Sequence, residues 1–417
     1  MAYQPRIIDA ELSDVLSYAG AVLIEGPKAC GKTETARQQC ASEALLDVDP
    51  NLRAALDVDP SLVLEGTTPR LIDEWQIEPR IWNHVRRAVD DRRGQPGGFV
   101  LTGSAVPADD VTRYTGAGRI SRIRMRQMSL FELGHSTGDV SLKALLDGEP
   151  ARAQEPGLGI ADIADVIAIG GWPGMRGLSA SQAARANRDY LDDVRRTDVQ
   201  RVDGTKRDPE RVGRLIRALA RNTTTTVSAR TLATDAGADG EPLDRDVARS
   251  YLDALSRLMV IEDQPAWAPH LRSKSLVREA PKRHFSDPSL AAAALGATPE
   301  RLLKDLNTMC FLFESLVVRD LRVYAQAIGG RVLHYRDNTD LEVDAILEFA
   351  DGRWAAFEIK LGQGQIEAAC ASLTKFANRI DTDKCGAPAA LGVITATGYG
   401  LRRPDGINVI SIGTLGP

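Results

Sequence analysis

The run AVLIEGPKACGKTETARQQ, residues 21–39, limits the possible folds more than any other stretch of this chain. Strand-type residues lead into a loop bounded by Gly26 and by Gly31-Lys32-Thr33, and a stretch free of Gly and Pro follows as a helix. A strand–loop–helix turn of this kind gathers backbone N–H groups and a positive helix terminus at one spot, the arrangement that holds a phosphate. Gly26 and Gly31 permit the tight turn. The residues expected to wrap a polyphosphate are Gly26, Pro27, Lys28, Ala29, Cys30, Gly31, Lys32 and Thr33, and position 34 is given no role. Lys32 is placed to reach the β and γ phosphates. Thr33 offers its hydroxyl to magnesium, which keeps several waters and takes few protein ligands.

Two further segments fit the same site. PRLIDEWQ ends an apolar strand on two acids, so Asp73 is expected to hold magnesium through water and Glu74 to polarise the attacking water. FVLTGSA reads as a third strand whose polar end, Thr102 to Ser104, lies beside the terminal phosphate if it neighbours the loop strand. Arg119, in TGAGRI, is the candidate arginine finger, acting in its own subunit or in a neighbour; a plain surface arginine is the competing reading.

At 417 residues the chain is too long for one ordinary core, and roughly two to four domains are expected. Hydrophobic residues make up 43% and charged residues 26%, which excludes a disordered or membrane-spanning chain. No apolar run reaches the roughly 18 residues of a bilayer helix, and MAYQPRIIDAELSD carries acids where a signal peptide would be apolar, so a cytoplasmic protein is expected. Cys30, Cys40, Cys310, Cys370 and Cys385 fit a reducing compartment. His84, His135, His270, His284 and His334 stand apart from them, leaving no local zinc ligand set. A net charge of −5 argues against whole-surface attraction to nucleic acid. Local basic clusters remain at Arg119, Arg122, Arg124 and Arg126 and at Arg211, Arg214, Arg217 and Arg221.

The fold class expected is α/β and multi-domain. Residues 1–128 form a P-loop core in which AVLIE at 21, ALLDV at 44, RLIDE at 70 and FVLTG at 99 make a parallel sheet covered by helices. LDVDP at 46 recurs at 56, but two copies do not define a solenoid. Residues 129–205 are a helical subdomain broken at GGWPGM (170–175). Residues 206–298 carry helices in ERVGRLIRALARN, SARTLATDAG and DRDVARSYLDALSRLMV, then wing-like VIEDQPAW and KRHFSD, as in a winged helix-turn-helix. Residues 299–417 begin with a helix presenting Phe313, Leu316, Val317, Leu321 and Tyr324 on one face. Strands follow at RVLHYR, LEVDAILEF, WAAFEIK, ALGVIT and INVISI, with one helix between the third and fourth, giving a separate α/β domain.

Taken together, GPKACGKTETA, LIDEWQ, VLTGSA, GRI followed by SLFELG, GGWP, LEVDAILEF and FEIK resemble the prokaryotic AAA+ family ATPases that carry a C-terminal domain of unknown function. The resemblance spans most of the chain. It implies an AAA+ core using ATP and Mg2+, a helical and winged-helix middle, and a C-terminal domain related to restriction endonucleases.

In LEVDAILEF, strand alternation puts Glu342, Asp344 and Glu348 on one face, and a hairpin through 350–353 brings Asp344 opposite Glu358 to Lys360. This resembles the PD-(D/E)xK pattern, in which Asp344 and Glu358 bind one or two magnesium ions and Lys360 orients or deprotonates water. Glu314, in the preceding helix, is the acid that completes such a metal site. Val343 stands where the pattern has proline. Opposed charges on a solvent face of a hairpin are the plainer alternative.

Two functions follow as expectations. In the first, ATP hydrolysis drives DNA or RNA binding and cleavage by the nuclease-like domain. In the second, ATP switches domain contacts or self-association while that domain binds a partner and stays catalytically silent. A small-molecule kinase is less attractive, since nothing beyond the core reads as a substrate lid. The partners expected are ATP, nucleic acid and further copies of the chain, without a membrane.

Overall fold

The computed structural model describes residues 2–105, 116–202, 204–238, 241–269 and 280–417. His270 of the sequence reading lies outside them. After helix α1 (Ile8–Tyr18), strand β1 (Ala21–Glu25) leads through the glycine loop into α2 (Lys32–Arg37). Then come β2 (Ser42–Leu45), α3 (Pro50–Val58), β3 (Arg70–Asp73), α4 (Ile81–Asp91), β4 (Phe99–Gly103) and β5 (Ile120–Arg124). These strands form one sheet in the order β2-β3-β4-β1-β5, every pair parallel.

Because successive side chains point to opposite faces, β1 sends Ala21 and Leu23 into one buried cluster and Val22 and Ile24 into another. A parallel sheet covered on both faces reads as an unbroken apolar run, which is why AVLIE lacks alternation. The strand expected at 44–48 lies instead at Ser42–Leu45. Asp49 N donates to Leu45 O at 3.1 Å to close a turn, and the Asp49 side chain caps α3. Asp59 caps the next turn, Pro60–Leu64, in the same way. The LDVDP recurrence is thus an aspartate cap followed by proline, used twice.

A largely helical stretch follows: α5 (Leu130–Leu133), the short strand β6 (Val140–Ser141), α6 (Leu142–Leu146), α7 (Ile160–Ile169) and α8 (Ala180–Asp193). The π-helical turn Val194–Asp198 connects α8 to α9 (Val199–Arg201). The three helices expected next are α10 (Pro209–Arg221), α11 (Ala229–Asp235) and α12 (Arg245–Arg257), capped by Asp208, Ser228 and Asp244. VIEDQPAW and KRHFSD meet through isolated antiparallel bridges, Ile261 with Phe285 and Gln264 with Lys282.

Helices α13 (Pro288–Leu295) and α14 (Pro299–Lys304) precede α15 (Leu306–Ala327), whose Phe313, Leu316, Val317, Leu321 and Tyr324 are all buried. The strands are β7 (Gly330–Arg336), β8 (Glu342–Phe349), β9 (Trp354–Lys360), β10 (Ala390–Thr395), β11 (Leu401–Arg402), β12 (Asn408–Ser411) and β13 (Leu415–Gly416). Helices α16 (Ile366–Ala377) and α17 (Thr382–Cys385) separate β9 from β10. The mixed sheet runs β11-β12-β10-β9-β8-β7. β13 leaves it to pair in parallel with β6, so the end of the chain is tied to the segment at 140. One apolar cluster accordingly runs from Leu130 to Leu415.

Inside that cluster the Arg319 guanidinium, 2% exposed, donates to Asp287 Oδ2 at 2.9 Å and to Asp320 Oδ1 at 2.7 Å. Asp287 also accepts Gly171 N, and Asp320 accepts Leu130 N, each at 2.9 Å. Removing one partner of a buried ion pair strands the other charge. Arg319→Ala is therefore expected to lower stability to chemical denaturation by about 3–5 kcal/mol. The exposed pair Arg331–Glu348 provides the control: Arg331→Ala should change stability by less than about 0.5 kcal/mol. Equal effects of the two substitutions would contradict this account of the core.

Candidate nucleotide site and C-terminal acid cluster

β4 lies between β1 and β3, so the loop after β1 and the acids ending β3 emerge at one edge of the sheet. Thr33 Oγ1, at the start of α2, donates to both oxygens of Asp73, at 3.0 and 3.1 Å. Thr102 Oγ1, from β4, also donates to Asp73. Glu74 takes a left-handed backbone (φ 53°), and its Oε2 accepts Ser104 Oγ at 3.1 Å and Gln76 Nε2. Thr102 and Ser104 thus hold one acid each. Lys32 Nζ donates to the loop carbonyls of Gly26 and Pro27 at 2.9 and 2.8 Å, leaving one N–H uncommitted among the described contacts.

Position 34 is Glu34, so Thr33 is the hydroxyl directly after Lys32. Glu34 opens the first turn of α2, where its negative charge suits the helix terminus. Its carboxylate is exposed and accepts Arg37 Nη1 at 2.5 Å.

Gly26 is required by space as well as by the turn, since a Cβ there would stand 2.3 Å from Met125 O. Ala29 and Gly31 both take positive φ, 62° and 106°. Cys30 is buried with its Sγ toward Met125 O. Lys28 reaches out of the loop to Asp198 Oδ1 at 2.5 Å, and Asp198 is 4% exposed on the π-helical turn. Arg6 Nη1 donates to Cys30 O at 3.0 Å and binds the loop from the N-terminal side. Sequence reasoning missed Asp198 and Arg6, which act across long chain separations and carry no local pattern.

The structure does not bring Arg119 to this loop within one chain. Ala21 N, at the start of β1, donates to Arg119 O, whereas the loop begins at the far end of β1, about 16 Å along the strand at ~3.3 Å per residue. The Arg119 side chain instead pairs with Asp90 at 2.9 Å. Beside the loop, a cavity of about 650 Å³ is lined by Tyr3, His135, Ile169, Trp172, Met175 and Arg176. Its neighbour Pro173 comes within 3.5 Å of the Cβ position of Gly31.

At the C-terminal end, the register Ala345↔Phe357 sets Asp344 level with Glu358, as the hairpin count requires. Lys360 Nζ donates to Asp344 Oδ2 at 3.1 Å and to Glu358 Oε2 at 2.6 Å. The residue not foreseen is Lys282. Its Nζ lies 2.8 Å from Glu314 Oε1, 2.7 Å from Glu342 Oε1 and 3.3 Å from Asp344 Oδ1. Glu342 had a sequence signal, since it shares a face with Asp344; Lys282 had none.

Burial disfavours the Lys282 charge, but Glu314, Asp344 and Glu342 outweigh it and hold the proton well above the ordinary lysine range. Burial likewise opposes the Asp344 charge, yet Lys282 and Lys360 keep that carboxyl far below its usual value. Glu314 is pushed up to about 7 by burial against the pull of Lys282. Glu358 is pushed up to about 8 by burial and by the Asp344 charge, with Lys360 opposing.

The expected metal set Glu314, Asp344 and Glu358 is therefore divided by two ammonium groups. Among the described residues no group of three or more His, Cys, Asp or Glu side chains is arranged to hold a metal ion. The residues present do not fit the nuclease metal centre. The Thr33–Asp73 pair does fit magnesium: a hydroxyl and a carboxylate, both hard oxygen donors, already meet at the end of the loop. Among the described residues no helix is long and apolar enough to cross a membrane.

Comparison with known proteins agrees with the first third of this picture. Residues 19–134 match the family model described as AAA domain. Residues 160–301 and 310–415 match two domains of unknown function, DUF8612 and DUF4143. No curated protein matches the chain. Among solved structures, the Walker-type ATPase of Pyrococcus abyssi is similar at 13% identity and a TM-score of 0.42, covering 69% of this chain and 94% of that one. Residues 19–134 thus match an AAA domain and fold as a parallel α/β sheet with the glycine loop at its edge.

Proposed function

We propose that the chain is a magnesium-dependent ATPase that works as a switch, with the state of the P-loop read by the helical segment around Asp198 and, through it, by the rest of the molecule. The observation that carries the ATP reading is the contact of Thr33 with both oxygens of Asp73, beside a lysine seated in its own loop. In this reading the loop amides and Lys32 bind the β and γ phosphates, and Thr33 and Asp73 hold the magnesium. Bound there, the metal neutralises charge on the transferred phosphoryl group. Glu74, fixed by Ser104 and Gln76, orients and polarises the attacking water. The cavity lined by Tyr3, Trp172 and Met175 has the size and apolar lining to take the nucleobase. Arg119 contributes to catalysis only from a neighbouring copy.

The switch reading rests on Lys28–Asp198. A loop residue that pairs with the helical segment in one state and faces phosphate in the other gives the two states different contacts, as a population shift requires. In a winged-helix reading of 206–298, the exposed face of α12 sets Arg245 and Arg249 against Asp246 and Asp253. That balanced surface suits a protein partner better than a phosphate backbone.

Three variants test this reading. Lys32→Ala should weaken ATP binding at least about tenfold, which corresponds to about 1.4 kcal/mol. Glu74→Gln should keep binding and lower kcat by about 10²-fold or more, as for loss of a catalytic base. Wild-type turnover in either variant would remove the assignment. For the switch, ATP should change amide hydrogen exchange at 194–201 in the wild-type chain and leave it unchanged in Lys28→Ala. An equal response in both would separate the helical segment from the nucleotide.

A further inference from the structure

We propose that Lys282 is the resident cation of the C-terminal carboxylate cluster, standing where a nuclease would hold its divalent metal, and that this domain joins chain segments and does not cleave phosphodiesters. A primary ammonium has three N–H donors, and three carboxylates lie within reach of this one: Glu314 from α15, and Glu342 and Asp344 from β8. Two of its donors hydrogen-bond Glu314 and Asp344, and Glu342 stands at ion-pair distance. Lys282 is also 1% exposed, so it is no surface side chain that happens to fold inward.

The backbone that delivers it is fixed on both sides. Gln264 N and O pair with Lys282 O and N at 2.9 and 3.0 Å. The Gln264 side-chain amide donates to Leu333 O and to Asp344 O at 2.8 and 2.9 Å. Gln264 Oε1 meets His284 Nε2 at 3.0 Å, and His284 Nδ1 meets Ser315 Oγ at 3.2 Å. The strip carrying Lys282 is thereby bonded to β7, to β8 and to α15, the last two of which supply the acids. A metal could enter only by displacing the ammonium from a packed position inside a satisfied polar network, where breaking one member strands the others.

Lys360, the residue a nuclease would use on water, closes the other side of the cluster, between Asp344 and Glu358.

The test is Mn2+ binding to the nucleotide-free full-length chain, followed by the loss of free-ion signal in electron paramagnetic resonance. Wild type and Asp344→Asn should bind the same number of Mn2+ ions, so that no site depends on Asp344. Lys282→Met should gain one Mn2+ per chain, and Lys282→Met with Asp344→Asn should lose it again. The proposal is overturned if Asp344→Asn removes an equivalent from the wild-type count, or if folded Lys282→Met gains none. Should Lys282→Met fail to fold, plasmid nicking by the wild-type chain in Mn2+ decides: no nicking supports the proposal, and nicking abolished by Asp344→Asn defeats it. Loss of ATP turnover in Lys32→Ala is a separate readout, so this proposal and the ATPase reading can fail independently.

Discussion

Because β5 ends beside the phosphate loop, the residues that follow it, 125–132, are drawn into contact with nearly every other part of the molecule. Met125 N donates to Glu25 O at 2.7 Å, and Met125 O packs on Gly26 so closely that no side chain fits between them. Arg126 pairs with Glu262 and hydrogen-bonds Gln326 of α15. Gln127 bonds Ser286 at 3.0 Å, and Met128 N donates to Gly171 O at 2.7 Å. Glu132 completes the capping box of α5 and accepts Arg6 Nε at 2.9 Å. Two glycines of the sequence motifs, Gly26 and Gly171, are needed for this approach, since a Cβ on Gly171 would stand 2.2 Å from Met128 O. GGWP is therefore tied physically to the phosphate loop, although the two lie far apart in the chain.

What the sequence made legible follows from the range of the interactions involved. The phosphate loop and Asp73-Glu74 announce themselves because strand, turn and helix signals are local. Asp344 and Glu358 could be paired because a hairpin fixes register by counting from its turn. Thr102 and Ser104 could be placed only conditionally, since nothing in residues 99–105 states that β4 inserts between β1 and β3. Lys282, Asp198 and Arg319 were not legible at all. Each is a charged residue with at least one partner from another element, and a single buried charge has no period or spacing by which to be recognised. Arg119 shows the converse: an arginine near a glycine pair looked catalytic, and strand direction puts it at the end of the sheet away from the loop of its own chain.

Among the described residues two lysines are buried, Lys32 and Lys282, and they differ in a way that decides what each can do. Lys32 is held by two neutral carbonyls, so its positive charge is not cancelled, and an incoming polyphosphate offers it a far stronger partner than the one it gives up. Lys282 is held by carboxylates, so its charge is already met and any anion would have to compete with groups fixed at 2.7 and 2.8 Å. In a low-dielectric setting such a network is strong when complete and costly when broken. The same residue type thus makes a ligand site where its partners are dipoles and a structural tie where its partners are ions. That difference assigns the chemistry of this molecule to its first third and leaves the C-terminal cluster the work of holding the segments 261–267 and 280–285 against the sheet.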